Sequence, residues 1–526
     1  MQRTIIIGTR GSKLALWQAN HIKDELAAVG VEAEIRIIKT QGDSFINLTF
    51  SKLVGKGFFT KELEDELLSG SIDLAVHSHK DLPTEQPPGL VIAAVSQREE
   101  PFEVLLIHPD GVDITRQFSL RERAIVGSSS ARRRSQLLAY RPDVELNDIR
   151  GNVPTRVQKL RDGEFDAILL AKAGLKRLQV DLGGLHVEEL APQEIVPAAA
   201  QGVLALQIRE EDKDLSEILQ KIHHPEVKDT IRVEREILHL FEGGCRMPIG
   251  AYCIKEDGEY LVWVSRAGND DDYPVRYHTR AYDTEGLARR IVDKYLNKEK
   301  AIKSVFITRD ISEDSYFYRS LSKQGLEITG SSMIRTLPVI TTFSSSILKR
   351  VDWLFFSSRN AVDYFFRLKP LIPKKTKIAV MGRGSESELR QNGREPDFVG
   401  TSADTARVAR EFSGKAAGST VLFPAAKDSL RAIQRGLGSD IRIIDLPIYE
   451  TVANDEADAS GADVLIFTSP SNVDAYLGPY LIDAHQKVIA IGKSTGQKLE
   501  EFGITNYLVP YSPDEVGLAE IVFELV

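Results

Sequence analysis

The first part of the chain alternates short apolar runs with segments whose apolar residues recur every three or four positions. "TIIIG" reads as a buried strand, "KLALWQANHIKDELAAVG" as an amphipathic helix, "EAEIRIIKT" as a strand, "FTKELEDELLSG" as a helix and "IDLAVHS" as a strand. After "PPGLVIAAV" a second series begins, with the strand "AIVG", the helices "ARRRSQLLAY" and "VPTRVQKLRDG", and the strand "DAILLA". Such alternation predicts α/β domains. From about Leu215 to Lys298 the helix "VKDTIRVEREILHLFEGG" precedes strand-like "EYLVWVSRAG" and "PVRYHTRAYD", which predicts a small α+β unit. The charged, weakly periodic "YLNKEKAIKS" is the linker candidate, and the chain divides near Ala301.

Beyond that point the pattern repeats. "DWLFFSSRNAVDYF" from Asp352 matches "DVLIFTSPSNVDAYL" from Asp463, and "KIAVMGRGSESELRQNG" from Lys377 matches "KVIAIGKSTGQKLEEFG" from Lys487, at nearly the same separation. The period is too long for a solenoid, so two similar α/β lobes are expected, each with a strand, a Ser/Thr turn and a helix, and with a ligand cleft between them.

A chain of 526 residues needs several cores, and its 42% hydrophobic and 27% charged residues are those of a soluble globular protein. The apolar runs are too short for a membrane span, and "MQRTIIIGTRGSK" is too brief for a signal peptide, so a cytoplasmic protein is expected. The two cysteines, Cys245 and Cys253, are expected to be free thiols. A net charge of −9 argues against nucleic-acid binding, so any anionic ligand must be met by local arginine clusters.

Those clusters stand where strands hand over to helices: Arg10 in "IIIGTRGSK", Arg132 and Arg133 in "VGSSSARRRSQ", Arg150 and Arg156 in "IRGNVPTR". A helix start with an adjacent guanidinium suits carboxylate or phosphate, which points to a polyanionic small molecule. In "AVHSHKDLP", Lys80 and Asp81 follow an apolar strand; the aspartate can stabilise a cation developing on a substrate or simply cap a turn. His77 and His79 have no third ligand nearby, and no metal is assigned. Cys245 follows Gly243 and Gly244 and precedes Arg246, which suits a covalent attachment point as well as it suits an inert thiol.

Residues 1 to about 298 closely resemble porphobilinogen deaminases, also called hydroxymethylbilane synthases, through "GTRGSKLALWQA", "GKGFFTKELE", "DLAVHSHKDLP", "VGSSSARRRSQL", "RGNVPTR", "DAILLAKAGLKRL", "AAAQGVLAL" and "FEGGCRMPIGAY". Residues 302–526 resemble uroporphyrinogen-III synthases through "VFITR", "FFSSRNAV", "LPIYETV", "IFTSPSNVDAYL" and "AIGKSTGQKLEEFG". The first resemblance implies two α/β lobes of the periplasmic-binding-protein kind, at 1–97 with 198–214 and at 98–197, plus a small α+β domain at 215–298. After a linker at 299–303, the second implies a two-lobed α/β synthase, with lobe 1 at 304–338 and 452–526 and lobe 2 at 339–451.

By resemblance, Cys245 carries a dipyrromethane cofactor through a thioether, and Asp81 is the catalytic carboxylate that stabilises the cation left when porphobilinogen loses ammonia. Lys80, Ser128, Ser129, Arg132, Arg133 and Arg156 would hold the cofactor, with Arg10, Ser12, Lys56, Phe59 and Arg150 on the substrate side. In the second half Tyr449 would be a proton donor, and Thr308, Arg309, Ser357, Ser358, Asn360, Thr468, Ser469, Ser471 and Thr495 would contact hydroxymethylbilane. The implied activity joins four porphobilinogens into hydroxymethylbilane and closes it, with inversion of the last ring, to uroporphyrinogen III, in a monomer without nucleic-acid or membrane partners. An active deaminase with an inert second half, or an anion-binding module, are the alternatives. The sequence departs from the deaminase pattern at His79, usually apolar, at Pro154, often Gly, and at Ala200, where Gly is common.

Overall fold

The structure is a computed structural model that describes residues 4–39, 60–114, 116–241, 247–269, 272–297, 301–340, 342–400 and 405–526. It forms two compact units, one of Met1–Lys303 with Glu313–Leu326 and Pro510–Val526, the other of Ser304–Ser312 with Glu327–Val509.

The first unit contains three sheets. In the first, the strands lie in the order Ala33–Ile37, Ile5–Thr9, Leu74–Ser78, Leu204–Arg209, Leu90–Val95. The first three are parallel, and Leu204–Arg209 runs antiparallel to both of its neighbours. Every residue of Leu204–Arg209 is buried, as a strand covered on both faces must be. Helix Lys13–Ala28 lays Ala19, Ile22 and Leu26 into this core at the expected spacing of three and four. The second sheet has the order Glu145–Asn147, Ile125–Gly127, Ala167–Ala171, Glu103–Ile107, His186–Leu190. The chain therefore leaves the first domain after Val95 and returns to it before Leu204. The third sheet is an antiparallel meander of Ile249–Glu256, Glu259–Arg266 and Val275–Ala281, packed with helices Pro225–Leu240 and Leu287–Leu296.

In the second unit, Glu327–Gly330, Ser304–Ile307, Val464–Phe467 and Lys487–Ala490 form a parallel sheet. A six-stranded sheet follows the order Ile334–Pro338, Arg442–Ala453, Thr420–Ala426, Trp353–Phe356, Lys377–Val380, Phe398–Val399. The sequence duplication is physical. Ser358 and Ser469 each cap the helix after their strand, accepting from Ala361 N and Asn472 N, and Gly382 and Gly492 occupy the equivalent cap before the next helix.

Two placements differ from the expected division. Ile334–Pro338 pairs antiparallel with Arg442–Ala453, because that long returning strand offers the six-stranded sheet an edge. Segments 313–326 and 510–526, expected in the synthase lobe, cluster with the first unit. Of the three departures, Pro154 occupies the first turn of helix Val153–Arg161, where a missing N–H costs nothing. Ala200 sits at φ 60, the left-handed region that explains a preference for glycine there. Among the described residues no helix is long and apolar enough to cross a membrane.

Candidate active site

The buried strand Leu74–Ser78 ends in a single 3-10 turn, His79–Asp81, which leaves Asp81 exposed. Lys80 beside it donates from Nζ to Gln201 Oε1 at 3.2 Å. Gln201, on the segment returning to the first domain, donates in turn to Pro101 O at 2.8 Å and to Glu103 Oε1 at 3.1 Å. Glu103 opens a strand of the second sheet with no solvent exposure. It receives Arg132 Nη2 at 2.7 Å, Arg133 Nη2 at 2.7 Å and Arg133 Nε at 2.9 Å. Burial alone would raise its pKa, but Arg133, Arg132 and Lys80 outweigh that and hold it at about 2.

Arg132 and Arg133 occupy the first turn of helix Ala131–Tyr140 and spend further N–H groups on Val196 O and Leu169 O. They are therefore anchored guanidiniums, 7% and 9% exposed, rather than open clamps. Arg156, whose Nε donates to Gly151 O at 2.8 Å, is pushed down in pKa by burial and by the charge of Arg133. Lys80 is lowered by burial and by Arg133 and Arg132, against the opposing pull of Asp81 and Glu103. Lys80, Arg132, Arg133 and Arg156 thus outnumber the carboxylates Asp81 and Glu103, and the place favours an anion.

The remaining expected residues fall around this cluster in different states. Ser12 caps helix Lys13–Ala28, accepting from Ala15 N at 3.2 Å, and Arg10 beside it is half-buried. Ser128 is buried, whereas Ser129 is exposed and exchanges two hydrogen bonds with the Ile149 backbone. Arg150 is half-buried just before the Asn152 cap of the next helix. Lys56, Phe59 and Cys245 lie outside the described residues. Cys253 is buried in its strand, and burial first, then Glu234, push its thiol far above the usual range, so this sulfur is inert. The two histidines part company: His77 bonds Gln207 Oε1 at 2.9 Å, while His79 lines a cavity of about 380 Å³ against helix Pro225–Leu240.

The second unit brings its expected residues together in two groups. Tyr449 Oη and Ser358 Oγ lie 3.2 Å apart, with the Tyr449 ring stacked on Tyr364 at 5.2 Å. Ser357 and Asn360 are half-buried beside Ser358. In the other sheet, Thr468 N donates to Thr308 Oγ1 at 3.0 Å and Thr468 Oγ1 donates to Thr308 O at 2.9 Å. Asn472 Nδ2 reaches Ser469 Oγ at 2.9 Å. Arg309 is half-buried and Ser471 exposed, but Thr495 is 1% exposed and faces the protein interior rather than an open cleft.

Residues 5–217 match the family model described as porphobilinogen deaminase, dipyromethane cofactor binding domain. A porphobilinogen deaminase of Nitratidesulfovibrio vulgaris (strain DP4) is 47% identical over 292 residues, covering 55% of this chain and 87% of the relative. The chain belongs to the porphobilinogen deaminase family. Another such deaminase, from Oceanobacillus iheyensis, is 45% identical over 279 residues, which are 53% of this chain and 88% of its own. Residues 316–520 match the family model of uroporphyrinogen-III synthase HemD. The solved uroporphyrinogen-III synthetase of Helicobacter pylori 26695 aligns at 17% identity with a TM-score of 0.33, over 43% of this chain and 100% of that one. With both families in one chain, this is a bifunctional enzyme of tetrapyrrole biosynthesis.

In the deaminase half, the residues that organise the site were not legible as such. Glu103 stands in "FEVLLI", a charge at the mouth of an apolar strand, and that mismatch was its one signal. Gln201 gave none. Glu234, fully buried, takes Arg98 through both oxygens at 2.6 and 3.2 Å, and also accepts from Ala200 N at 2.7 Å and Cys253 N at 2.8 Å. It ties both inter-domain crossings to the third domain.

Proposed function

We propose that Asp81 stabilises the positive charge that develops as porphobilinogen loses ammonia, and that the cations around it hold the acetate and propionate arms of the pyrroles. The supporting observation is the surplus of cations at the strand ends. Lys80 and Arg156 are shifted toward their neutral forms by burial and neighbouring guanidinium charge, and bound carboxylates would relieve both. A dipyrromethane, whose every pyrrole bears two carboxylates, fits such a site, and when bound it supplies the free pyrrole carbon to which new units join.

The protein's part is placement and charge. As the carbon–nitrogen bond of porphobilinogen breaks, its electron pair leaves with the amine and positive charge spreads over the pyrrole. The Asp81 carboxylate, exposed at the end of a rigid buried strand, accepts from the pyrrole N–H and offsets that charge. Gln201 fixes Lys80, and through Glu103 the same network anchors Arg132 and Arg133 as a fixed positive background, so the charge around a bound anion need not reorganise during the reaction. Cys245 follows helix Pro225–Leu240 and precedes strand Ile249–Glu256, and is the tether in this reading. In the synthase half, Tyr449 donates a proton to the departing hydroxyl of hydroxymethylbilane, with Ser358 orienting its phenol.

The test is the intact mass of the denatured chain beside Cys245→Ser. The expected result is an added mass of two condensed porphobilinogen units in the parent and none in the variant. A parent chain that stays unmodified even after incubation with porphobilinogen would leave an anion-binding module in place of the enzyme.

A further inference from the structure

Arg276, on strand Val275–Ala281 of the third domain, is 2% exposed. A guanidinium so buried must find acceptors for its N–H groups and a counter-charge. Its acceptors are carbonyls of the segment leaving the second domain, Glu194 O at 2.5 Å and Gln193 O. Nη1 also approaches Tyr140 Oη at 3.4 Å, at the far end of the helix that begins with Arg132 and Arg133. The counter-charge comes from Glu520, whose Oε1 accepts from Nε at 3.0 Å. Arg276 therefore bolts the third domain to the second, and a residue near the C-terminus neutralises the bolt.

The packing around Glu520 makes its helix part of the same body. Every residue of helix Glu515–Leu525 from Val516 to Phe523 is buried, so no face is left for solvent. Phe523 enters the third-domain core, with ring centroids 5.8 Å from Tyr277 and 5.1 Å from Tyr295. Helix Tyr316–Ser322 adds a second hold: Tyr316 stacks on Tyr140 at 6.1 Å and donates to Pro274 O at 3.3 Å. Arg319 Nη1 donates to Tyr273 Oη at 2.6 Å.

We propose that Glu520 is a positioning residue for the deaminase reaction, holding Arg276 so that the third domain keeps a fixed register against the second. This inference rests on the deaminase reading above. If the growing chain is tethered on the third domain and its carboxylates are held on the first two, that register decides where the reactive end lies. A segment that by sequence falls in the synthase half then acts on the first activity.

The test uses the full chain as Glu520→Gln and as the double variant Arg276→Met/Glu520→Leu. Glu520→Gln is expected to lower the turnover number for hydroxymethylbilane at least fivefold, with KM for porphobilinogen changed less than twofold. The double variant replaces a buried ion pair by apolar side chains, which commonly preserves stability. It is expected to match the parent in thermal unfolding while turnover stays low, since the bonds to Gln193 and Glu194 are gone. Turnover within twofold of the parent in Glu520→Gln, or turnover recovered with stability in the double variant, would overturn the proposal. If Glu520→Gln does not fold, the double variant decides alone. A parent chain that forms no hydroxymethylbilane would instead count against the deaminase reading itself.

Discussion

At Glu103 a carboxylate without solvent contact collects two guanidiniums and the amide of Gln201, and the stability of that arrangement depends on its being complete. Glu103→Gln would leave Arg132 and Arg133 buried without a counter-charge. The expected cost is about 3 kcal/mol, read by chemical denaturation of the first unit, together with slower porphobilinogen consumption. The same carboxylate predicts an acid limit. Its pKa falls from 4.5 to about 2 on folding, so its contribution is whole above about pH 4.5 and is lost as pH drops from there toward 2. A pH series on the parent and Glu103→Gln should show the parent's extra stability shrinking across that window. The arginines were legible because "SSSARRRSQ" follows a strand, but their partner was not. Glu103 meets them only once helix Ala131–Tyr140 packs across its strand, and no local pattern encodes that meeting.

Elements repeat more faithfully than functions. Strand, Ser cap and helix occur twice in the second unit, as the duplicated "FFSSRNAV" and "IFTSPSNV" led us to expect, and Ser358 and Ser469 both spend an oxygen on capping. Capping accounts for a serine at those positions whatever the ligand does. The Tyr449 ring has a packing duty, 7% exposed in a hydrophobic core, but its hydroxyl is not explained by packing. The strand Arg442–Ala453 carries it to Ser358 and to the Tyr364 ring, and Tyr449→Phe keeps the ring stack while removing the hydroxyl. We expect this variant to lower the rate of uroporphyrinogen III formation about a hundredfold or more, as one general acid contributes, with thermal unfolding little changed. The helix Glu515–Leu525 shows the limit of reading elements from a sequence. "EVGLAEIVFEL" is mostly apolar, but its Glu520 carried no sign that it would be buried against Arg276, and chain order pointed to the synthase lobe alone.

Over the whole molecule the charge balance is negative, −9, yet the deaminase site gathers cations. In the reading proposed above, local clusters rather than the global field meet the carboxylates of the pyrroles. The two family matches join a reaction that makes hydroxymethylbilane to one that consumes it. The most direct measurement is the isomer composition of uroporphyrinogen formed from porphobilinogen by the purified chain alone. The account predicts isomer III. Isomer I would contradict it, leaving a working deaminase joined to a half that does not cyclise.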